Sequence, residues 1–273
     1  MSARTAALAA LAGCAASAFA ANVPTQLLFQ EGDAIDGSTV SGVNAVFTSG
    51  AGTVGSLGVL DDGRRFVWID NGVAFTSDNA SIPWSGAEST IGVADDGSWT
   101  ASPSLPFSGT SGTDDSWWHS SNQPIAREFD VYPFIPDQVV GFASRPSMDD
   151  EGTAYVVGGY RLQDPTDNSG SDGRAFWRST DPASGNYDVI YESFEVIDGF
   201  TVGNGGVDFT YDVSGNGDWL ITEMVFNDTP STQDDNMVYL IDLNNPANKT
   251  RLGRENDPTG DGDDFDNWDG VKV

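Results

Sequence analysis

The sequence predicts an all-β fold assembled from repeated antiparallel modules, and three observations carry that expectation. A turn recurs: Leu60-Asp61-Asp62-Gly63-Arg64-Arg65-Phe66 is echoed by Ala94-Asp95-Asp96-Gly97-Ser98-Trp99, by Asp149-Asp150-Glu151-Gly152-Thr153-Ala154 and by Ser214-Gly215-Asn216-Gly217-Asp218-Trp219. Each copy follows a short apolar stretch and leads into an aromatic or β-branched one, which is the pattern of strand, tight Asx/Gly turn, strand. The 32 Gly and 13 Pro residues punctuate the chain so often that no helical periodicity survives past residue 20. An apolar fraction of 38% with 11% aromatics supports a packed core despite a net charge of -29.

In chain order, the first twenty residues read as a leader. Arg4 precedes the short apolar run 6–12, and Ala18-Phe19-Ala20 offers the small-x-small pattern cut by a signal peptidase, leaving one β-repeat domain over residues 21–273. Leu11-Ala12-Gly13-Cys14 also resembles a bacterial lipobox, the alternative in which Cys14 is lipidated and anchors the chain. Export to the periplasm or outside the cell is expected either way. No later stretch approaches the ~20 apolar residues of a transmembrane helix. Cys14 is the single cysteine, so no disulfide staples the fold, and thiol catalysis and cysteine-ligated zinc are excluded.

After the leader, Gln30-Glu31-Gly32-Asp33-Ala34-Ile35-Asp36-Gly37-Ser38-Thr39-Val40 resembles Glu192-Ser193-Phe194-Glu195-Val196-Ile197-Asp198-Gly199-Phe200-Thr201-Val202, with Arg127-Glu128-Phe129-Asp130 as a degenerate third copy. The repeating unit is then an acidic entry turn, a strand, the Asx/Gly hairpin and a closing strand such as Met237-Val238-Tyr239-Leu240-Ile241-Asp242. Three to four strands per unit is the content of a propeller blade. The turn glycines Gly63, Gly97, Gly152 and Gly217 are 34, 55 and 65 residues apart, so the loops between modules vary, and the Ser/Gly-rich stretch 108–123 reads as an insert. Phe265-Asp266-Asn267-Trp268-Asp269-Gly270-Val271 repeats the strand Gly206-Val207-Asp208-Phe209-Thr210-Tyr211-Asp212, so the array either closes on its first strand or continues in a longer chain. A β-sandwich or solenoid would produce much the same list of turns.

The Gly-Asp entry turn at Gly32-Asp33 and the Asn/Asp-x-x-Gly hairpins resemble those of a group of secreted bacterial propeller-like repeat proteins of uncharacterised function. The resemblance spans most of residues 26–273 and implies the fold; it supplies no activity.

The charge narrows the partners. Of 41 acidic residues 33 are Asp, and Lys249 and Lys272 are the only lysines, a surface that stays soluble where salt screens its self-repulsion. Without a basic stripe, nucleic acid is excluded as a partner. Three constellations could carry chemistry. Asp257, Asp261, Asp263, Asp264, Asp266 and Asp269 stand at one- to four-residue spacing in a Gly-containing loop, a set of hard oxygens that suits Ca²⁺, although the EF-hand glutamate and helices are missing; a solvated acidic turn is the alternative. Asp164-Pro165-Thr166-Asp167-Asn168-Ser169-Gly170-Ser171-Asp172 is a second, weaker set. Trp117 and Trp118, flanked by Asp114 and Asp115, could stack on a sugar and accept its hydroxyls, or could anchor the insert to the core as large aromatics usually do. The turns themselves fall a residue short of a sialidase-type Asp-box. No Gly-x-Ser-x-Gly is present, and His119 is the only histidine. The expectation is a binding or structural protein, not an enzyme, directed at polysaccharide or a surface protein. An extracellular carbohydrate-active hydrolase or lyase is the alternative.

Overall fold

The computed structural model describes residues 27–106, 113–162, 172–229, 235–255 and 257. The leader with Cys14 therefore lies outside the described residues, as do the acidic positions 261–269 and the C-terminal strand motif at 265–271. The fold is all-β. Four antiparallel sheets follow one another along the chain, their curvature making one nearly closed barrel and one half-barrel, with no closed ring of blades among the described residues. The first sheet holds β1 (Ala34–Ile35), β2 (Ser38–Thr48), β3 (Val54–Leu60), β4 (Arg65–Ile69) and β5 (Gly72–Thr76); the second holds β6 (Gly86–Val93), β7 (Trp99–Pro106), β8 (Thr113–His119) and β9 (Gln123–Arg127). The third holds β10 (Gln138–Met148), β11 (Ala154–Leu162), β12 (Gly173–Ser179) and β13 (Asp188–Glu192). The fourth holds β14 (Val196–Ile197), β15 (Phe200–Val213), β16 (Trp219–Phe226), β17 (Asn236–Asp242) and β18 (Lys249–Arg254). Within every sheet each strand pairs with its sequence neighbour, a plain meander. Helix among the described residues amounts to two single 3₁₀ turns, and none is long and apolar enough to cross a membrane.

The repeated turn has one local geometry. In each copy the glycine N–H donates to the carbonyl three residues earlier: Gly63 to Leu60 (2.9 Å), Gly97 to Ala94 (3.1 Å), Gly152 to Asp149 (3.2 Å) and Gly217 to Ser214 (2.8 Å). The glycine then takes φ between 67° and 93°, the left-handed bulge position that an L side chain rarely adopts. Three of these turns, with Gly97, Gly152 and Gly217, join the first and second long strands of their sheets. Gly63 does not. It joins β3 to β4, and the equivalent corner of the first sheet is Ser49-Gly50-Ala51-Gly52-Thr53, where Gly52 (φ 92°) donates to Ser49 (3.0 Å). The chain uses the same turn chemistry at two corners of the first sheet, and the Asp-Asp-Gly spelling marks the outer one. There Arg64 gathers Asp36, Asp62 and Asp78 at 2.6, 2.9 and 3.3 Å, and its hydrogen bonds hold the Asp62 carboxyl below the usual carboxylate range.

The entry motif is the more faithful marker. Gly32 N–H donates to Val40 carbonyl (2.8 Å) and Val40 N–H returns to Asp33 (2.9 Å); Phe194 and Val202 repeat this at 2.8 and 2.9 Å, and Phe129 and Val140 at 2.9 and 2.8 Å. Asp36-Gly37 and Asp198-Gly199 both have positive φ at both residues, the two-residue hairpin turn that matches strand twist. The degenerate third copy keeps this pair of backbone bonds, but a longer loop closed by the single bridge Val131–Val139 replaces the Asp-Gly hairpin. Its Glu128 replaces sequence likeness with a buried ion pair to Arg161 at 2.6 Å, the guanidinium also lying 4.6 Å from the Phe129 ring centre.

The core is layered between successive sheets. Leu57 and Val67 of the first sheet meet Ile91, Val93, Trp99 and Trp118 of the second; Trp117 and Ile125 of the second meet Val140, Val156 and Trp177 of the third; Tyr155, Phe176 and Tyr191 of the third meet Val207, Met224 and Tyr239 of the fourth. An inner sheet must be apolar on both faces, which is why β11, Ala154–Leu162, is buried along all but its last residue. The same logic places the tryptophan pair. Successive residues of a strand point to opposite faces, so Trp117 fills one interface and Trp118 the other, both 0% exposed. Residues 113–127 are accordingly the regular third and fourth strands of the second sheet, not an insert interrupting the module.

At one end of the sheets the four inner turns are bonded to one another. Asp95 N–H donates to Asp150 carbonyl (3.1 Å) and Asp150 N–H to Gly215 carbonyl (2.7 Å); Asp150 Oδ1 accepts from Gly50 N–H (2.6 Å) and Asp95 Oδ1 from Ala51 N–H (2.8 Å). A Cβ on Gly50 would lie 2.2 Å, and one on Gly215 2.4 Å, from the Asp150 carboxylate, so both turns need glycine for the closeness of that side chain. Replacing Asp150 with Ala removes the acceptor of the exposed Gly50 amide, which water can replace, and is expected to cost about 0.5–1.5 kcal/mol in denaturant unfolding.

Candidate functional site

The first long strand of each sheet, β2, β6, β10 and β15, lies innermost, and together they surround a cavity of about 730 Å³. Such packing needs close backbone approach: a Cβ on Gly92 would fall 2.4 Å from Met148 N, where β6 meets β10. The volume falls in the range of small-ligand sites. The walls are contributed by residues 46–50 of the first sheet, 90–93 of the second, 145–148 of the third and 209–213 of the fourth, with Asp150 and Gly215 of the turns at the end. A smaller hollow of about 330 Å³ on the outside of the first sheet, beside Asp36, Phe75 and Asn79, lies away from this axis.

Aromatic and polar groups share the axial cavity. Phe47, 41% exposed, Arg145 and Asp212 line it, together with Phe209 and Tyr211, whose rings pack against Arg174 and Phe176 between the third and fourth sheets. Arg145 is held in an unusual way. It has φ 58°, a left-handed conformation for a long side chain, directly before Pro146, and the two residues bulge from the β10–β11 ladder between Ser144 and Ser147. Strain of this kind costs about 1–3 kcal/mol and is retained where the surroundings over-determine it. Part of that determination is visible: the Tyr211 hydroxyl donates to the Arg145 carbonyl, tying the bulge to β15 across the cavity. Two further residues of the wall, Thr90 and Ser147, carry hydroxyls without a protein partner, polar capacity that water or a ligand would satisfy.

The residues singled out in the sequence lie elsewhere. Trp117 and Trp118 present no face to a ligand. The Trp117 indole N–H donates to Thr100 Oγ1 (2.8 Å), and Trp118 packs edge-on to Trp84 with ring centres 5.6 Å apart. Anchoring, not sugar stacking, is their part. Asp114 and Asp115 lie on β8 opposite Leu105 and Ser104, and Asp115 N–H donates to Glu128 Oε2 (3.1 Å). His119 is half-buried, ringed by Ser120 and Ser121, and burial pushes its pKa below the ordinary histidine value. Of the acidic run proposed for Ca²⁺, Asp257 is described, its N–H donating to Arg254 carbonyl (2.9 Å); Asp261, Asp263, Asp264, Asp266 and Asp269 lie outside the described residues. Of the weaker acidic set, Asp172 accepts from Leu162 N–H (2.6 Å), and residues 163–171 lie outside. Among the described residues no three His, Cys, Asp or Glu side chains are arranged to hold a metal ion.

Sequence reasoning missed Phe47, Arg145, Tyr211 and Asp212. One signal was available: all four stand within four residues upstream of an inner turn, so the turn pattern, correctly aligned, marks the stretch of strand that reaches the axis. No protein-family model matches the chain, and no curated protein is significantly similar to it.

Two outcomes check this assignment. Trp118→Ala is expected to destabilise the fold by about 3–5 kcal/mol in chemical denaturation, as loss of a buried tryptophan does. Glu223, 6% exposed on β16, has its carboxyl pushed up to about 7 by burial and by the neighbouring charges of Asp208 and Glu255. The folded state therefore binds this proton more tightly than the unfolded chain, so its contribution to stability is present below about pH 4.5 and is lost as pH rises to about 7. Glu223→Gln is expected to gain on the order of 1–3 kcal/mol over the natural chain at pH 8 and little at pH 4, measured by urea unfolding at both values.

Proposed function

We propose that this protein is an exported binding domain whose axial cavity takes a sugar unit of an extracellular polysaccharide, without turning it over. The observation that carries the reading is that the half-exposed Phe47 and the polar residues Arg145 and Asp212, from three different sheets, line one concavity. A sugar ring offers C–H groups on its faces and hydroxyl pairs at its edge. Aromatic rings match the first, and guanidinium and carboxylate forks match the second. The reading of binding without hydrolysis rests on the carboxylates. Hydrolysis requires two of them about 5–9 Å apart flanking the scissile bond, and of the two that line this cavity Asp150 is committed to the turns through Gly50.

The arrangement of the sheets supports a propeller-type array as the underlying architecture. The sheets follow chain order, each is a meander with its first long strand at the axis, and each interface is filled by alternate residues of adjacent sheets. Export is supported by the leader motif, and the dense surface carboxylates favour a saline exterior and disfavour nucleic acid.

Glycan-array screening followed by isothermal titration calorimetry tests the reading. Phe47→Ala and Asp212→Asn are each expected to weaken binding of an array-positive oligosaccharide at least tenfold, about 1.4 kcal/mol or more. No new reducing ends are expected on prolonged incubation. Binding indifferent to both substitutions would remove the cavity from consideration.

A further inference from the structure

Taking the axial cavity as the sugar site, we propose that it is blind at one end and reads the terminus of a polysaccharide chain, not its interior. The closed end is the plane of inner turns. Asp150 joins three sheets there, accepting Gly50 N–H from the first at 2.6 Å, donating its own N–H to Gly215 of the fourth at 2.7 Å, and belonging itself to the third; Asp95 of the second donates to its carbonyl at 3.1 Å. The side chain lies so close to Gly50 and Gly215 that not even a Cβ would fit beside it. A polymer passing through the site would have to leave through this plane, and the plane is filled by bonded backbone.

The recognition groups crowd the same end. Phe47 stands two residues before the first inner turn, Asp212 two before the fourth, and Arg145 four before the third. At about 3.3 Å per residue of strand they lie within roughly 7–13 Å of the closure, the depth reached by the last unit or two of an inserted chain. The Arg145-Pro146 bulge, pinned by the Tyr211 hydroxyl, interrupts β10 at that depth. A site built to grip a chain along its length would instead spread its aromatic rings and polar forks along an open groove. The ligand class that fits is therefore a glycan with a free end.

The test uses laminari-, cello- and manno-hexaose and the matching long polymers as probes, with calorimetric stoichiometry as the readout. One protein per chain is expected for hexaose and polymer alike, with affinity per mole of chain unchanged by length. Hexaoses immobilised through one end are expected to bind and those immobilised through the other end are not. Many proteins per polymer chain, or equal binding in both orientations, would overturn recognition of the terminus; if Phe47→Ala still abolished that binding, the cavity would stand as the sugar site. Absence of binding by all three series, or binding untouched by Phe47→Ala and Asp212→Asn, would overturn both readings together.

Discussion

Asp150 is the residue through which the sheets become one object. Each sheet is a meander whose ladder bonds join only strands adjacent in sequence, and apolar packing between sheets is non-directional, so a few directed bonds, such as Tyr191 hydroxyl with Thr222 Oγ1 and those of Asp150, cross from sheet to sheet. Directed bonds are what fix one sheet's position relative to the next. The Asp150 carboxylate and backbone supply them to turns of the first, second and fourth sheets from the third, and the glycines at Gly50 and Gly215 exist to let that side chain in. The axial cavity inherits its shape from this joint, since the same turns form its floor.

Between the sheets, the alternation of side chains along a strand becomes an assembly rule. An inner strand has no solvent face, so an unpaired polar residue on either side would be stranded in a core; the Trp117-Trp118 pair and β11 up to Tyr160 are apolar or aromatic on both faces, and the buried Arg161 of β11 is paired with Glu128. Gly158 shows the same economy of space: a Cβ there would fall 2.1 Å from the Trp177 ring, so the glycine lets the indole lie flat on the neighbouring strand. Charge is kept at the rim. Where it enters the interior it is paired, as in Glu128 with Arg161, or shifted toward neutrality, as in Glu223.

The cavity joins these structural facts to function. Arg145 on its wall is one of eight non-glycine residues with positive φ among the described residues, and the opposing strand β15 provides the hydroxyl that holds its carbonyl. The Arg145-Pro146 bulge lies on the wall of a concavity to which all four sheets contribute.

The sequence by itself determined the class: antiparallel strands, near absence of helix among the described residues, the glycine-bearing turns and all three entry motifs follow from local backbone chemistry, which acts within a few residues. Local chemistry cannot say which corner of a sheet a turn occupies. Hence Gly63 reads like Gly97, Gly152 and Gly217 while sitting at the outer corner, and Gly52, spelled without aspartates, is the true equivalent. For the same reason the tryptophans of β8 read as a surface site: their burial depends on sheets that arrive from sequence positions far to either side. The cavity was visible only in the tertiary structure, because Phe47, Arg145, Tyr211 and Asp212 belong to three different sheets and share one lining only once turn-to-turn bonds bring those sheets together.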